Sequence, residues 1–208
     1  MDRKMLFKIH MCDHNSESIW NKEFFCDILF YKSEFGVENK MNIRLAVTDD
    51  LNNIAEVYRY NHINTYKGLL SDKYLSNLTL DYCRDKWEKY AEDTRKRIWV
   101  AYEADIFLGF VAGMEDSQLP DTWYLDSLHV TERARGKGIG TALIKTIGKY
   151  ANENNYAKMS ICIVQGNDSA NNLYKKLGAE HFSYFCDDFC GTVSDSEKLL
   201  WKNLKIFE

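Results

Sequence analysis

The densest concentration of potential chemistry lies where Trp123-Tyr124-Leu125-Asp126-Ser127-Leu128-His129-Val130 runs into Thr131-Glu132-Arg133-Ala134-Arg135-Gly136-Lys137-Gly138-Ile139-Gly140-Thr141. The first segment reads as a strand and the residues from Gly138 onward as an amphipathic helix, so Gly136, Gly138 and Gly140 fall where the chain turns into the helix. The first N–H groups of a helix have no internal acceptors and point outward at the positive end of its dipole, a geometry that holds phosphate oxygens. Arg133, Arg135 and Lys137 add positive charge beside them.

Two familiar phosphate motifs do not fit. A Walker loop needs Ser or Thr directly after its Gly-Lys, and here Lys137 is followed by Gly138. A dinucleotide fingerprint sits tight against its strand, whereas Gly136-x-Gly138-x-Gly140 follows the loop residues Thr131 to Arg135. A glycine-rich surface turn without a ligand is the plain alternative.

The whole chain bounds what such a site can serve. It has 208 residues, 45% of them hydrophobic and 28% charged, with a single Pro. That composition excludes collagen-like, proline-rich and disordered classes. Lys+Arg 27 against Asp+Glu 31 leaves a net charge of −4, which argues against a nucleic-acid or acidic-membrane partner and requires any anion to be held locally. The 6 cysteines, with no secretory signal before them, read as reduced thiols of a cytoplasmic protein. No apolar run approaches the ~20 residues that cross a bilayer.

The glycine segment needs a scaffold, and the hydrophobic pattern supplies one. Ile43, Leu45 and Val47 alternate as a strand before a helix carrying Leu51, Ile54, Ala55, Val57 and Tyr58. Further helices are expected over 70–78 and 80–91, with Ser71 and Thr79 or Asp81 as caps. Strands follow over 98–103, 106–114 and 123–130. Then come a helix over 138–151 with Ile139, Leu143, Ile144 and Ile147 on one stripe, a strand over 159–164 and a helix over 169–177 ended by Gly178. Two closing strands are expected over 182–189 and 198–204. The sum is a mixed α/β (α+β) sheet protein over 41–208, with residues 1–40 as an arm of accessory character.

Together these segments resemble the GNAT superfamily of acetyl-CoA-dependent N-acetyltransferases. Its pyrophosphate signature, Gln/Arg-x-x-Gly-x-Gly/Ala after a strand ending in hydrophobic-x-Val, is matched by Leu128-His129-Val130 and Arg135-x-x-Gly138-x-Gly140. A second family pattern is matched by Asn167-Asp168-Ser169-Ala170-Asn171-Asn172-Leu173-Tyr174-Lys175-Lys176-Leu177-Gly178-Ala179, which departs only at Ala179, where Phe is usual. The resemblance covers Met41 to about Leu204 and implies a mostly antiparallel central sheet in which the 123–130 strand splays from its parallel neighbour, Met159–Val164.

In such a fold, the segment Leu128, His129 and Val130 would bind the pantetheine arm through main-chain groups. Arg135, Gly136, Lys137, Gly138, Ile139, Gly140 and Thr141 would hold the pyrophosphate, and Asn167 and Asn171 would reach the distal arm. The implied activity is direct transfer of an acetyl group from acetyl-CoA to a primary amine of a small molecule, as in bacterial small-molecule members with wording like Tyr66-Lys67-Gly68-Leu69. A protein amine as acceptor and a non-catalytic acyl-CoA-binding module are the alternatives. Homodimers, common in the family, are implied too.

The chemistry needs a neutral amine, a donor for the oxyanion and a proton for the departing thiolate. Tyr174 matches the family's proton donor, since a phenol with a pKa of about 10 is protonated at neutral pH. Its plain alternative is a core tyrosine. The N–H of Val130 is the expected oxyanion donor. Asp126, expected on the same strand face as Leu128, is the first choice of general base, with Glu115 and Asp116 as alternatives. His129 reads as a packing or substrate-wall residue and Tyr66 as an acceptor-pocket residue. His181, Cys186 and Cys190 lack a fourth ligand, so no metal is expected. Arg95-Lys96-Arg97 reads as a solvated turn.

Overall fold

The computed structural model describes residues 41–189 and 193–208. Its strands are β1 (Met41–Leu45), β2 (Lys96–Glu103), β3 (Ile106–Glu115), β4 (Thr122–Val130), β5 (Lys158–Val164), β6 (Glu180–Asp188) and β7 (Val193–Trp201). The helices are α1 (Leu51–Tyr66), α2 (Asp72–Ser76), α3 (Leu80–Glu92), α4 (Ile139–Glu153) and α5 (Asp168–Lys176). One seven-stranded sheet runs in the order β1-β2-β3-β4-β5-β7-β6, and every neighbouring pair is antiparallel except β4 with β5. This is the expected mixed architecture.

Both faces of the sheet are covered. On one, α1, α2 and α3 bury Ile54, Tyr58, Leu75 and Trp87 against Val100 and Phe110. On the other, α4 and α5 bury Leu143, Ile144, Ile147 and Tyr174 with Trp123, Leu125 and Trp201. The 3.6-residue spacing of the α4 stripe makes this possible. Each fully buried Leu or Ile on it contributes about 1.5–3 kcal/mol of transfer free energy. Ser71 and Thr79 cap α2 and α3 by accepting from the Tyr74 and Tyr82 N–H groups.

The parallel pair is short. Thr122, Trp123 and Tyr124 register with Lys158, Met159 and Ser160, and beyond Tyr124 the two strands part. At the paired end lies an ion pair between Lys198 Nζ and Asp116 Oδ2 at 2.8 Å, its side chains 6% and 4% exposed. Ser160 Oγ donates to the same carboxylate oxygen at 2.6 Å, so β3's end, β5 and β7 are fastened together there. Where the strands separate, β4 carries a bulge. Ala112 faces Ser127 but Gly113 faces Leu125, leaving Asp126 as the extra residue.

Several expectations need correction. The stretch 70–78 holds only the short α2, because the chain spends Ser71 on its cap and Asn77-Leu78 on leaving the turn. Lys96 and Arg97 belong to β2, and only Arg95 of that run is largely in solvent. β7 begins at Val193 and ends at Trp201, while Leu204 lies in a terminal 3-10 turn, Leu204–Phe207. Polar Ser196, Glu197 and Lys198 hid this strand in the sequence, yet all are buried. Glu197 is satisfied by His181, Asn171 and Lys175. The expected arm and Cys12, Cys26 and Cys190 lie outside the described residues. Among those described, no helix is long and apolar enough to cross a membrane.

Candidate active site

The separation of β4 from β5 opens a cleft of about 820 Å³ between α1, α3, β4, β5, α4 and α5. Thr131 N–H donates to the Leu108 carbonyl, which fixes the phase of the β3–β4 ladder beyond the bulge. By alternation His129 and Ser127 bond to β3, whereas the N–H and C=O of Leu128 and Val130 point the other way, toward the gap. An unpaired strand edge inside a cleft is a row of donors and acceptors awaiting a partner.

The gap leads to the N-terminus of α4. Gly136 and Gly138 adopt φ of +73° and +82°, a region an L side chain enters only at a cost. Gly138 is the N-cap of α4, and no side chain caps it. Gly140 packs normally, close to Leu128, Val130 and Leu173. The helix start is thus left open toward the cleft, which suits a diphosphate.

Arg135 is held in place from an unanticipated direction. Its Nη2 donates to Asn61 Oδ1 at 2.7 Å, and Asn61 Nδ2 donates to the Val130 carbonyl at 3.0 Å. Asn61 is 4% exposed and bridges α1, β4 and the glycine loop. Its signal in the sequence is an amide on the stripe Ile54, Tyr58, Asn61, where an apolar residue belongs.

Tyr174 is buried at the cleft wall, its ring edge-on to Trp201 at 5.9 Å. Burial, with Tyr66 nearby, raises its pKa, so the phenol stays protonated across the physiological range. Asn167 lines the cleft as well, but its side chain accepts from Ala170 N–H and caps α5. Asn171 is turned the other way. It donates to Glu197 Oε2 at 2.8 Å and is not among the cleft-lining residues, and neither is Lys137.

The bulge also changes where Asp126 points. Trp123 and Leu125 pack with α4, and so do Leu128 and Val130, so the alternation has slipped by one residue between them. Asp126 therefore does not share a face with Leu128, contrary to expectation. It faces the α1–α3 side, where Ser127 Oγ donates to it at 3.2 Å. Burial raises its carboxyl pKa, opposed by Lys86 across the cleft and by the Ser127 hydrogen bond. Asp116 is locked by Lys198 and Ser160, and neither it nor Glu115 lines the cleft.

The rest of this end is aromatic and cationic. His129 stacks on Phe110 and lies edge-on to Tyr58, with ring centroids 5.3 and 5.2 Å apart respectively. Burial holds its pKa well below the ordinary imidazole value. Burial and Lys86 push His62 down to about 3, so both imidazoles are neutral. Tyr66 and Tyr124 complete the wall. Among the described residues, no group of three or more His, Cys, Asp or Glu is placed to hold a metal.

Comparison with known proteins agrees with this geometry. A Staphylococcus aureus Mu50 N-acetyltransferase superposes with a TM-score of 0.64 at 24% identity, over 78% of this chain and 98% of that one. A spermidine N-acetyltransferase of Vibrio cholerae, solved with CoA and spermine, gives 0.64 at 18% identity, over 82% and 100%. In sequence, a 57-residue stretch is 37% identical to thialysine N-epsilon-acetyltransferase of Mus musculus; it makes up 27% of this chain and only 34% of that enzyme's length. The model of the acetyltransferase (GNAT) family matches residues 64–179, more than half of the chain and all of the cleft's β4, glycine-loop and α5 segments. The chain belongs to the acetyltransferase (GNAT) family.

Proposed function

We propose that this chain transfers an acetyl group from acetyl-CoA directly to the primary amine of a small molecule, with no covalent enzyme intermediate, and that residues 41–208 are the unit that does so. The observation that carries the reading is the β4–β5 gap, where the main-chain groups of Leu128 and the N–H of Val130, turned away from β3, lead to the open start of α4. Relatives named for thialysine and spermidine acetylation support a small-amine acceptor. The free thiols of Cys83, Cys162 and Cys186 suit a reducing cytoplasm.

Acetyl-CoA supplies an activated thioester. The N–H groups from Gly136 to Thr141 hold its diphosphate beside Arg135, and the edge of Leu128 and Val130 holds its amide-bearing arm. The Val130 N–H donates to the carbonyl oxygen as negative charge develops there. Asp126, its pKa raised by burial, takes a proton from the acceptor ammonium so that the nitrogen can attack. A C–N bond forms, the C–S bond breaks as Tyr174 gives the departing sulfur its proton, and the second proton lost by the nitrogen restores the Tyr174 phenol.

The test is calorimetry with acetyl-CoA together with thiol-detected CoA release over a panel of amines. Saturable binding and release with some primary amine are expected. Tyr174→Phe should lower turnover about a hundredfold or more while acetyl-CoA affinity persists. Absence of saturable acetyl-CoA uptake by the folded chain overturns the proposal. A thermal shift with acetyl-CoA but no acetylated acceptor would instead mark a binding module.

A further inference from the structure

We propose that the acceptor is an amino acid, an amine that also carries a carboxylate, and that Lys86 receives that carboxylate in the cleft. This rests on the acetyl-transfer reading and concerns the acceptor end of the same site.

Lys86 projects from α3 into the cleft wall. Its ammonium donates to the Tyr58 hydroxyl at 2.7 Å and lies 4.1 Å from the Tyr58 ring centroid and 5.3 Å from that of Trp87. Among the described residues no carboxylate forms an ion pair with it, although nine such pairs occur elsewhere. An ammonium drawn out of water needs an anion, and one phenol with two ring faces replaces hydration only in part. Asp126 acts on it through space without contact, and burial disfavours the charged form of both groups.

His62 brings no competing charge there, since its ring, 4.2 Å from that of Tyr58, is held neutral by burial and by Lys86. A carboxylate placed beside Tyr58 would pair with the Lys86 ammonium. The reactive amine would then face Asp126. The lining holds one more carboxylate, Asp187, so the charges at Lys86, Asp126 and Asp187 complement those of a diamino acid. A polyamine would instead bring a second ammonium up to Lys86 and be repelled.

The experiment uses matched acceptors that differ only in the carboxylate: L-lysine against cadaverine, and L-ornithine against putrescine. CoA release by the full chain should give kcat/KM at least about tenfold higher for each carboxylated member. Lys86→Met should collapse that ratio by raising KM for the amino acid, and Lys86→Arg should restore it. Acetyl-CoA binding is measured alongside by calorimetry. If acetyl-CoA binds and the diamines react as well as the amino acids, or the Lys86→Met ratio is unchanged, this inference falls and acetyl transfer stands. If acetyl-CoA does not bind, both fall. The wild-type ratio decides the matter even where a variant fails to fold.

Discussion

The guanidinium of Arg135 and the side-chain oxygen of Asn61 lie 2.7 Å apart, tying the glycine loop to α1, which lines the cleft. The same amide also holds the Val130 carbonyl, so one side chain sets the positions of the glycine-loop cation and the β4 edge, which the proposed function puts beside the diphosphate and the thioester. Asn61→Ala should weaken acetyl-CoA binding about tenfold, since a hydrogen bond to a charged group contributes about 1.5–3 kcal/mol. Asn61→Asp keeps an acceptor for Arg135 but loses the donor to Val130. Titration calorimetry on both variants separates the two contacts.

The left-handed φ of +82° at Gly138 makes a second prediction. A Cβ there meets no atom within 4 Å, so Gly138→Ala should cost only the backbone strain, about 1–2 kcal/mol, and still fold. Its methyl would stand at the open helix start. The midpoint of denaturant unfolding and acetyl-CoA affinity should both drop, the latter without change in the circular dichroism spectrum.

Asp126 gives a pH prediction. Burial raises its folded pKa, so the fold favours the protonated carboxyl and loses that contribution as pH rises through the raised value. Asp126→Asn should therefore be more stable than the parent at neutral pH, the gap closing in acid near and below the ordinary pKa of 3.8. Activity should move oppositely. The parent's kcat/KM should climb with pH through the same titration, and the variant should lack that limb.

The ion pair of Lys198 with Asp116 is too buried to be replaced by water. Removing one partner leaves an uncompensated charge, so Lys198→Met should destabilise by about 3–5 kcal/mol, read in urea melts. Here the sign is the reverse of Asp126. The Asp116 pKa is lowered by Lys198 and Ser160 against the effect of burial, so its contribution is present above 3.8 and fades as pH falls toward the depressed value.

Much of the cleft was legible in residue order because local rules build it. Gly136 and Gly138 announce a turn, the α4 stripe announces a helix, and both motifs sit where the folded chain needs them. What escaped notice depends on partners distant in sequence. Asn61 is separated from Arg135 by 74 positions and reads alone as a defect in an apolar stripe. Lys86 reads as an ordinary charge beside Trp87 until α1 and β4 close over it. The facing of Asp126 escaped because period-two alternation assumes an unbroken ladder, and the break is decided by β3. The polar run of β7 escaped since Glu197 and Lys198 are acceptable inside only once α5, β6 and β3 supply their counter-charges.

The surplus residue in β4 has a further consequence. Excising Asp126 alone would leave Leu128 two residues after Leu125, on the face toward α4 that it already occupies, so the register with β3 and the side chains under the helix would survive. What would relax is the local bend that an unmatched residue puts into a strand, just past the point where β4 parts from β5. The width of the opening thus hinges on one surplus peptide unit between Leu125 and Leu128, more than on which side chain that unit bears.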